Sequence, residues 1–403
     1  MPQKHLRILH IITRLDKGGS AENTLLTAIG NAEHGHYVEL LCGVSDNPPS
    51  ENEERARGCG IKITRFKTLV RQISPFIDFI TLVRFYFYLK LHPFDVLHTH
   101  TSKAGILARI AGKIAGVKCI IHTPHGHIFY GYFSAAKTRL LTTIERFTTK
   151  NTSALITLTR GERNDYLQRN IGTPDSVYPV FSGIEMGPYL AADYDRTATR
   201  KGLNIPKDCY LAGTVARLVH VKNQDLTISA AQLLEESHPD IRYLFVGDGD
   251  MREHLEKRIQ EAGLSDRFIF AGWRHDIPRL LHAMDLFIMC SHNEGMGRAF
   301  VEAQASGLPV IGSRVGGVPE VLIEGETGCL VSPTDHTALA EGIRRWYDRR
   351  HEREKTAQKC REWINPRFSI ETMVDSIEAL YRKYTQVQYV PEHVSAPRPQ
   401  EQR

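Results

Sequence analysis

The chain has 403 residues, 41% of them hydrophobic and 24% charged, so it is long enough for two domains of ordinary size and has the balance of a soluble globular protein. No window reaches 18 uncharged apolar residues, and the opening Met1-Pro-Gln-Lys-His-Leu-Arg7 leads straight into a strand pattern, so neither a spanning helix nor a secretory signal is expected. The net charge of +5 conceals an asymmetry: residues 61–160 hold 15 Lys and Arg against 3 Asp and Glu, whereas residues 186–403 hold 28 against 31. A basic first half attracts nucleic acid, anionic lipid or an anionic substrate. Without a nucleic-acid-binding motif, lipid or phosphate is favoured and nucleic acid is not expected as a partner. The seven cysteines (42, 59, 119, 209, 290, 329, 360) lack C-x-x-C spacing and read as reduced core thiols, which implies a cytoplasmic protein.

In chain order, Leu6-Arg-Ile-Leu-His-Ile-Ile12 suits a buried strand, Gly18-Gly-Ser-Ala-Glu22 opens a helix, and Tyr37-Val-Glu-Leu-Leu-Cys42 is the next strand. Repeating βα units predict a parallel sheet with ligands at the carboxyl ends of its strands. Gly18 and Gly19 fall at such an end, but the third glycine of a G-x-G-x-x-G dinucleotide fingerprint is missing. After Lys62, Arg65, Lys67 and Arg71, the run 75–91 predicts a helix that is apolar nearly all round, interrupted by Asp78, Arg84 and Lys90. Two interpretations stand: a helix packed between sheet and neighbours, or a basic aromatic element seated on a membrane surface.

Asp95-Val-Leu-His-Thr-His100 ends a strand in two histidines, and Lys118-Cys-Ile-Ile-His-Thr-Pro-His-Gly-His127 ends another in three. Their i, i+2 pairs have no cysteine or carboxylate at ligand spacing, so no metal site is expected. A histidine beside a Pro-His-Gly turn suits hydrogen bonding or proton handling in a cleft, with His98 and His100 shaping the floor. The aromatic run Ile128-Phe-Tyr-Gly-Tyr-Phe133 is either core or a contact for an apolar acceptor tail. Helices near 135–150 and 160–170 flank a strand at 154–158, and the charged, alanine-rich stretch 188–205 reads as a linker.

In the second half a strand ends at Ala216-Arg217, and Lys222 follows at the start of a helix; two cations at such a turn suit a diphosphate. Tyr243-Leu-Phe-Val-Gly-Asp-Gly-Asp250 imitates a D-x-D metal motif but reads as a glycine turn capping a helix at Met251. The apolar strand Asp285-Leu-Phe-Ile-Met-Cys290 then turns through Glu294-Gly-Met-Gly297 into a helical pattern from Arg298 to Ser306. Strand, glycine turn and helix N-terminus together present free N–H groups and a positive dipole end to an anion. Were most of the interval helical, Glu294 and Glu302 would stand roughly 12 Å apart at 1.5 Å per residue, against the ~5 Å of a double-displacement glycosidase pair.

Glu294-x7-Glu302, with Ala-x-Ala-Ser-Gly-Leu-Pro-Val-Ile-Gly-Ser and Val315-Gly-Gly-Val-Pro-Glu320 behind it, resembles the donor-site signature of family 4 retaining glycosyltransferases. Thr214-Val-Ala-Arg-Leu218 with Lys222-Asn223 resembles the Gly-Arg-Leu-x-x-x-Lys-Gly motif of that family, and Thr-Pro-His125-Gly its sugar-contacting loop. The resemblance spans about residues 6–385 and is looser in the first half. It implies an α/β protein of GT-B type, two Rossmann-like parallel-sheet domains facing a deep interdomain cleft. The expected parts are an acceptor-side domain (1–187), a nucleotide-sugar domain (188–368), a helix returning to the first domain (369–388) and a disordered tail (389–403).

The resemblance also implies roles. Arg217, Lys222 and the N–H groups of Gly295, Met296, Gly297 and Arg298 would hold the donor diphosphate, with Gly18 and Gly19 lying against the phosphates from the other side. Glu302 would bind ribose, Glu294 sugar hydroxyls, and His125 the sugar near the reacting carbon, with Trp273 and Arg274 as candidates for the nucleobase. Arg298 stands where the family usually has an apolar residue, and its side chain is expected to touch an oxyanion or face solvent. The expectation is a glycosyltransferase without metal or other cofactor, moving sugar from a UDP-sugar, such as a UDP-N-acetylhexosamine, to a glycan or polyprenyl-linked acceptor at the inner face of the cytoplasmic membrane. The rivals are a GT-B sugar-nucleotide epimerase, a non-catalytic nucleotide-sugar-binding subunit, and a NAD-dependent dehydrogenase.

Overall fold

The structure, a computed structural model, describes residues 5–16, 18–45, 48–126, 135–191 and 193–386. His127, the aromatic run 128–133 and the tail expected at 389–403 lie outside the described residues. The first sheet comprises β1 (Arg7–Ile12), β2 (Tyr37–Gly43), β3 (Lys62–Phe66), β4 (Val96–His100), β5 (Cys119–Thr123), β6 (Ala154–Thr157) and β7 (Val177–Pro179). The second comprises β8 (Tyr210–Val215), β9 (Ile241–Val246), β10 (Phe268–Gly272), β11 (Leu286–Met289), β12 (Val310–Ser313) and β13 (Gly328–Val331). Every paired strand is parallel, in the orders β3-β2-β1-β4-β5-β6-β7 and β10-β9-β8-β11-β12-β13.

Each order reverses direction once, between β1 and β4 in the first sheet and between β8 and β11 in the second. At that point the helices leaving adjacent strands go to opposite faces, and the loops they vacate leave a crevice at the carboxyl edge. The strands around these points are buried on both faces, as parallel strands covered by helices must be. Gly18-Gly19 follows β1, and the runs to Lys222 and Glu294 follow β8 and β11.

The terminal helix Ile370–Thr385 belongs to the first core: Met373, Val374, Ile377, Leu380 and Tyr381 join the cluster built from β1, β2 and the helix Gly19–Glu33. Gly30 lets the two helices meet, because a Cβ there would collide with Val374. The stretch expected to be a bare linker is not one: it contains the helices Gly187–Leu190 and Arg196–Gly202. The second is anchored by Asp285, which accepts from Arg196 (2.6 Å), Arg200 (2.7 Å), Arg353 and the Leu211 N–H (2.8 Å). One carboxylate thus ties the entry and exit of the second domain to the start of its central strand.

The helix Pro75–Leu91 buries only Thr81, Phe85 and Leu89, spaced on one side, and Phe85 and Leu89 join a separate core cluster with Leu9, Ile11, Leu41 and Leu97. Phe76, Phe79, Phe87 and Leu91 lie on the opposite side and are exposed, with Arg84 and Lys90 among them. The helix is therefore packed along one face only. No helix among the described residues is long and apolar enough to cross a membrane.

Asp285→Ala should cost about 3–5 kcal/mol of stability, because it strands the buried Arg200 guanidinium without its carboxylate. Urea unfolding, followed by the fluorescence of Trp346 and Trp363, measures it.

Candidate active site

The site is built at the switch point of the second sheet. Ala216 donates its N–H to Val246 O (3.0 Å) and Leu218 donates to Asp248 O (3.0 Å), so the backbone at Arg217 is stitched to the turn after β9. The Arg217 side chain is exposed and has no hydrogen-bonding partner among the described residues. Lys222 closes a short 3-10 turn, His220–Lys222, rather than opening a helix; Asn223 in left-handed geometry then starts the helix Gln224–Leu233. From that turn Lys222 Nζ reaches Glu294 Oε2 at 2.5 Å, a pair largely screened from water. Ser291 Oγ donates to the same oxygen at 3.2 Å.

Glu294 is held in place from below by glycines. Gly317 donates its N–H to Gly295 O at 2.7 Å. A Cβ on Gly316, which has φ +50°, would collide with the Glu294 carbonyl oxygen. The Val315-Gly-Gly-Val pattern therefore allows two backbones to lie against each other, fixing the glycine turn at 295–297. Gly297 in left-handed geometry leads into the helix Arg298–Ala305. Only the second half of the Glu294–Glu302 interval is helical, so the span expected from continuous helix does not apply. Glu302 sits one turn inside that helix; burial pushes its carboxyl up to about 7, opposed by Arg298 and reinforced by Glu22.

The Arg298 side chain neither faces solvent nor awaits an oxyanion. It crosses to the first half of the chain, pairing with Glu22 (Nη2 to Oε1, 2.7 Å) and donating from Nη1 to Gly183 O (3.0 Å) and Ser182 Oγ (3.2 Å). Its stem lies against the first glycine loop, since a Cβ on Gly19 would stand 3.6 Å from Arg298 Cδ. A second crossing is made by Glu320, which accepts from the N–H groups of Arg160 (2.9 Å) and Gly161 (2.7 Å) at the start of the helix Arg160–Gln168. The carboxyl edges of the two sheets therefore face each other. Arg298 and Glu320 stand in recognisable motifs of the sequence, whereas no local pattern marks Glu22, Ser182, Gly183, Arg160 or Gly161 as their partners.

His125 lies on the first sheet's edge after β5, in left-handed geometry (φ +61°), with Nε2 2.9 Å from His100 Nδ1 and 3.5 Å from Thr24 Oγ1. Behind it, His10, His98 and His100 form a buried cluster whose nitrogens lie within 4.8 Å of one another, a grouping that could hold a metal ion. Both nitrogens of each ring are already engaged: His10 with His100 and Asn31, His98 with Tyr381 and Thr123, His100 with His10 and His125. Burial lowers His10 to about 4 and His125 to about 3 and holds His98 and His100 well below the ordinary range, so the rings are neutral. His98 and His100 are thus an internal network rather than a cleft floor. Trp273 is exposed just after β10, and the Arg274 guanidinium is engaged by Asp276 at 2.8 and 2.7 Å. Asp248 accepts from Gly249 N (2.8 Å) in a turn ahead of the helix Arg252–Glu261.

The model of the glycosyl transferases group 1 matches residues 195–363, and that of the glycosyl transferase 4-like domain matches residues 18–179. The chain is 32% identical, over 322 residues, to the UDP-Gal:alpha-D-GlcNAc-diphosphoundecaprenol alpha-1,3-galactosyltransferase of Escherichia coli, covering 78% of this chain and 82% of that protein. The chain belongs to the family 4 glycosyltransferases. This glycosyltransferase is also 28% identical to the putative glycosyltransferase EpsD of Bacillus subtilis, with 73% and 77% coverage. Its fold is that of Anabaena HepE, solved with UDP: TM-score 0.81 at 21% identity, over 94% of this chain and 100% of that one. The architecture is GT-B, and the enzyme is a glycosyltransferase of polysaccharide or glycan biosynthesis. The dehydrogenase and epimerase alternatives are set aside.

Gly316→Ala should destabilise this glycosyltransferase by about 1–3 kcal/mol from backbone strain alone. The displaced Glu294 turn should add to that in urea unfolding, whereas alanine at the open Gly58 should stay near wild type.

Proposed function

We propose that the enzyme is a metal-independent, retaining transferase that moves a hexose or N-acetylhexosamine from a UDP-sugar to a polyprenyl-diphosphate-linked sugar. The observation that carries this is the Lys222–Glu294 pair, set beside the glycine turn at the switch point of the second sheet. The Escherichia coli relative, named for a UDP-Gal donor and a diphosphoundecaprenol-linked acceptor, supports the same substrate classes, as does the structure of HepE with UDP-glucose.

In this scheme Arg217 and Lys222 take the diphosphate, and the turn 295–298 offers its N–H groups. Glu294 pairs with Lys222; a bound diphosphate gives the ammonium a second anionic partner and lets Glu294 accept from sugar hydroxyls. Glu302 accepts from the ribose, and His125 meets the sugar. Neither Trp273 nor Arg274 is given a role. The anomeric C–O bond to the phosphate breaks as the acceptor hydroxyl attacks from the same face, and the departing phosphate oxygen takes the acceptor proton. Glu294, held by Lys222 and Ser291, is an electrostatic partner in this step and not the nucleophile.

The exposed Phe76, Phe79, Phe87 and Leu91 with Arg84 and Lys90 support docking on an anionic membrane at its cytoplasmic face, where a lipid-linked acceptor resides. No part of the scheme calls for nucleic acid.

UDP release from UDP-galactose, UDP-glucose and UDP-N-acetylglucosamine, with N-acetylglucosaminyl-diphosphoundecaprenol as acceptor, tests the site. One donor should turn over, and Glu294→Ala and Lys222→Ala should each lower kcat by about 10²–10³-fold. Unchanged turnover in both variants would remove the site from the mechanism. Phe76→Ser/Phe79→Ser/Phe87→Ser should abolish sedimentation with phosphatidylglycerol vesicles while leaving turnover of a soluble acceptor analogue intact; equal sedimentation would refute the docking face.

A further inference from the structure

A row of hydrogen bonds runs from the terminal helix through the first core to His125. Glu378 Oε1 accepts from Asn31 Nδ2 at 3.0 Å, Asn31 Oδ1 faces His10 Nε2 at 3.2 Å, His10 Nδ1 faces His100 Nε2 at 3.0 Å, and His100 Nδ1 faces His125 Nε2 at 2.9 Å. The ring planes of His10 and His100 are within 16° of each other and those of His100 and His125 within 24°. Glu378, Asn31, His10 and His100 are completely buried, so water cannot substitute for any of these partners. The Glu378 carboxylate also accepts from Arg382 at 2.8 Å and faces His34 Nδ1 at 3.2 Å. Burial pushes its carboxyl up, but bonds from His36 and Asn31 outweigh that and hold it below its ordinary value.

The direction of every bond in the row follows from the carboxylate. An ionised carboxylate only accepts, so it takes the Asn31 amide N–H and leaves Oδ1 facing His10. An amide oxygen also only accepts, so His10 carries its proton on Nε2 and presents a bare Nδ1. His100 must then donate from Nε2 and accept at Nδ1, and His125 must donate from Nε2. Thr24 agrees with this polarity: its hydroxyl donates to Ser20 O at 2.8 Å, so towards His125 Nε2 it can only accept. His125 Nδ1 is buried and has no hydrogen-bond partner among the described residues.

We infer that Glu378, Asn31, His10 and His100 are positioning residues that lock His125 as its Nε2–H tautomer and reserve Nδ1 as a hydrogen-bond acceptor for a hydroxyl of the transferred sugar. The inference rests on the placement of His125 at the sugar in the proposed function. It makes the carboxylate on the terminal helix the origin of the active-site tautomer, which gives that helix a chemical as well as a packing role. It also excludes His125 as a proton donor to the sugar in the ground state.

Long-range ¹H–¹⁵N spectra of the full-length, ¹⁵N-histidine-labelled protein read the tautomers without substrate. His10, His100 and His125 should all be Nε2–H. His10→Phe removes the acceptor for His100 and should move the proton of His125 to Nδ1, lowering kcat by about 10–100-fold with little change in donor KM. Asn31→Leu reverses the row at its other end and gives the same pattern if His10→Phe fails to fold. His10→Gln, which offers both a carbonyl and an N–H, should restore the tautomer and most of the lost turnover. An Nδ1–H or doubly protonated His125 in the wild type, or an unmoved proton in both apolar variants, overturns the inference. A proton that moves while kcat stays constant overturns the catalytic use of the row and traces the failure to the role given to His125 rather than to the row itself.

Discussion

A lysine and a glutamate held 2.5 Å apart at the point where the second sheet reverses its strand order are the centre of this structure. Neither residue is placed by its own element alone. Lys222 depends on a 3-10 turn ended by the left-handed Asn223, whose side chain donates to Cys290 O at 2.9 Å and Pro333 O at 2.8 Å. Glu294 depends on a glycine pair that lets the next loop pass directly beneath it. The pairing solves an electrostatic problem: an ammonium largely screened from water needs an anionic partner, and Glu294 supplies it.

The second constraint is that the two sheets present their carboxyl edges to each other. Arg298 and Glu320 make this juxtaposition specific by sending one cation and one anion from the second half of the chain across to the first. Arg298 occupies the N-terminus of the helix after the glycine turn, and its guanidinium is engaged by Glu22, Ser182 and Gly183. The departure from the family pattern at this position therefore bears on how the halves are held together.

The first domain divides its polar residues between two tasks. Its surface carries the basic and aromatic helix face, while its interior carries the buried histidines His10, His98, His100 and His122. Buried imidazoles remain tolerable because each nitrogen at the centre of the cluster has a partner, and because burial keeps the rings uncharged. Asp285 does comparable work in the second domain, where one carboxylate serves three arginines and a backbone N–H.

Short-range pattern was enough to read the alternating strands and helices, the glycine turn after β11 and the family resemblance. Strand periodicity, glycine conformational freedom and helix entry act over a few residues, so local sequence carries them. The same is true of Lys222 and Glu294 as individuals, each recognisable from its own motif. Their contact is not local, nor is Arg298 with Glu22, 276 positions away, or Asn31 with Glu378, 347 away. His10 read simply as part of a buried strand, and Asp285 as the start of one. In the stretch that reads as a linker, the helix Arg196–Gly202 is held by Asp285, a countercharge 89 positions from Arg196 that no nearby residue announces. Which polar groups meet in the interior was decided only by the tertiary structure, because a hydrogen bond fixes the identity of its partner through geometry in space, and spacing along the chain encodes none of it.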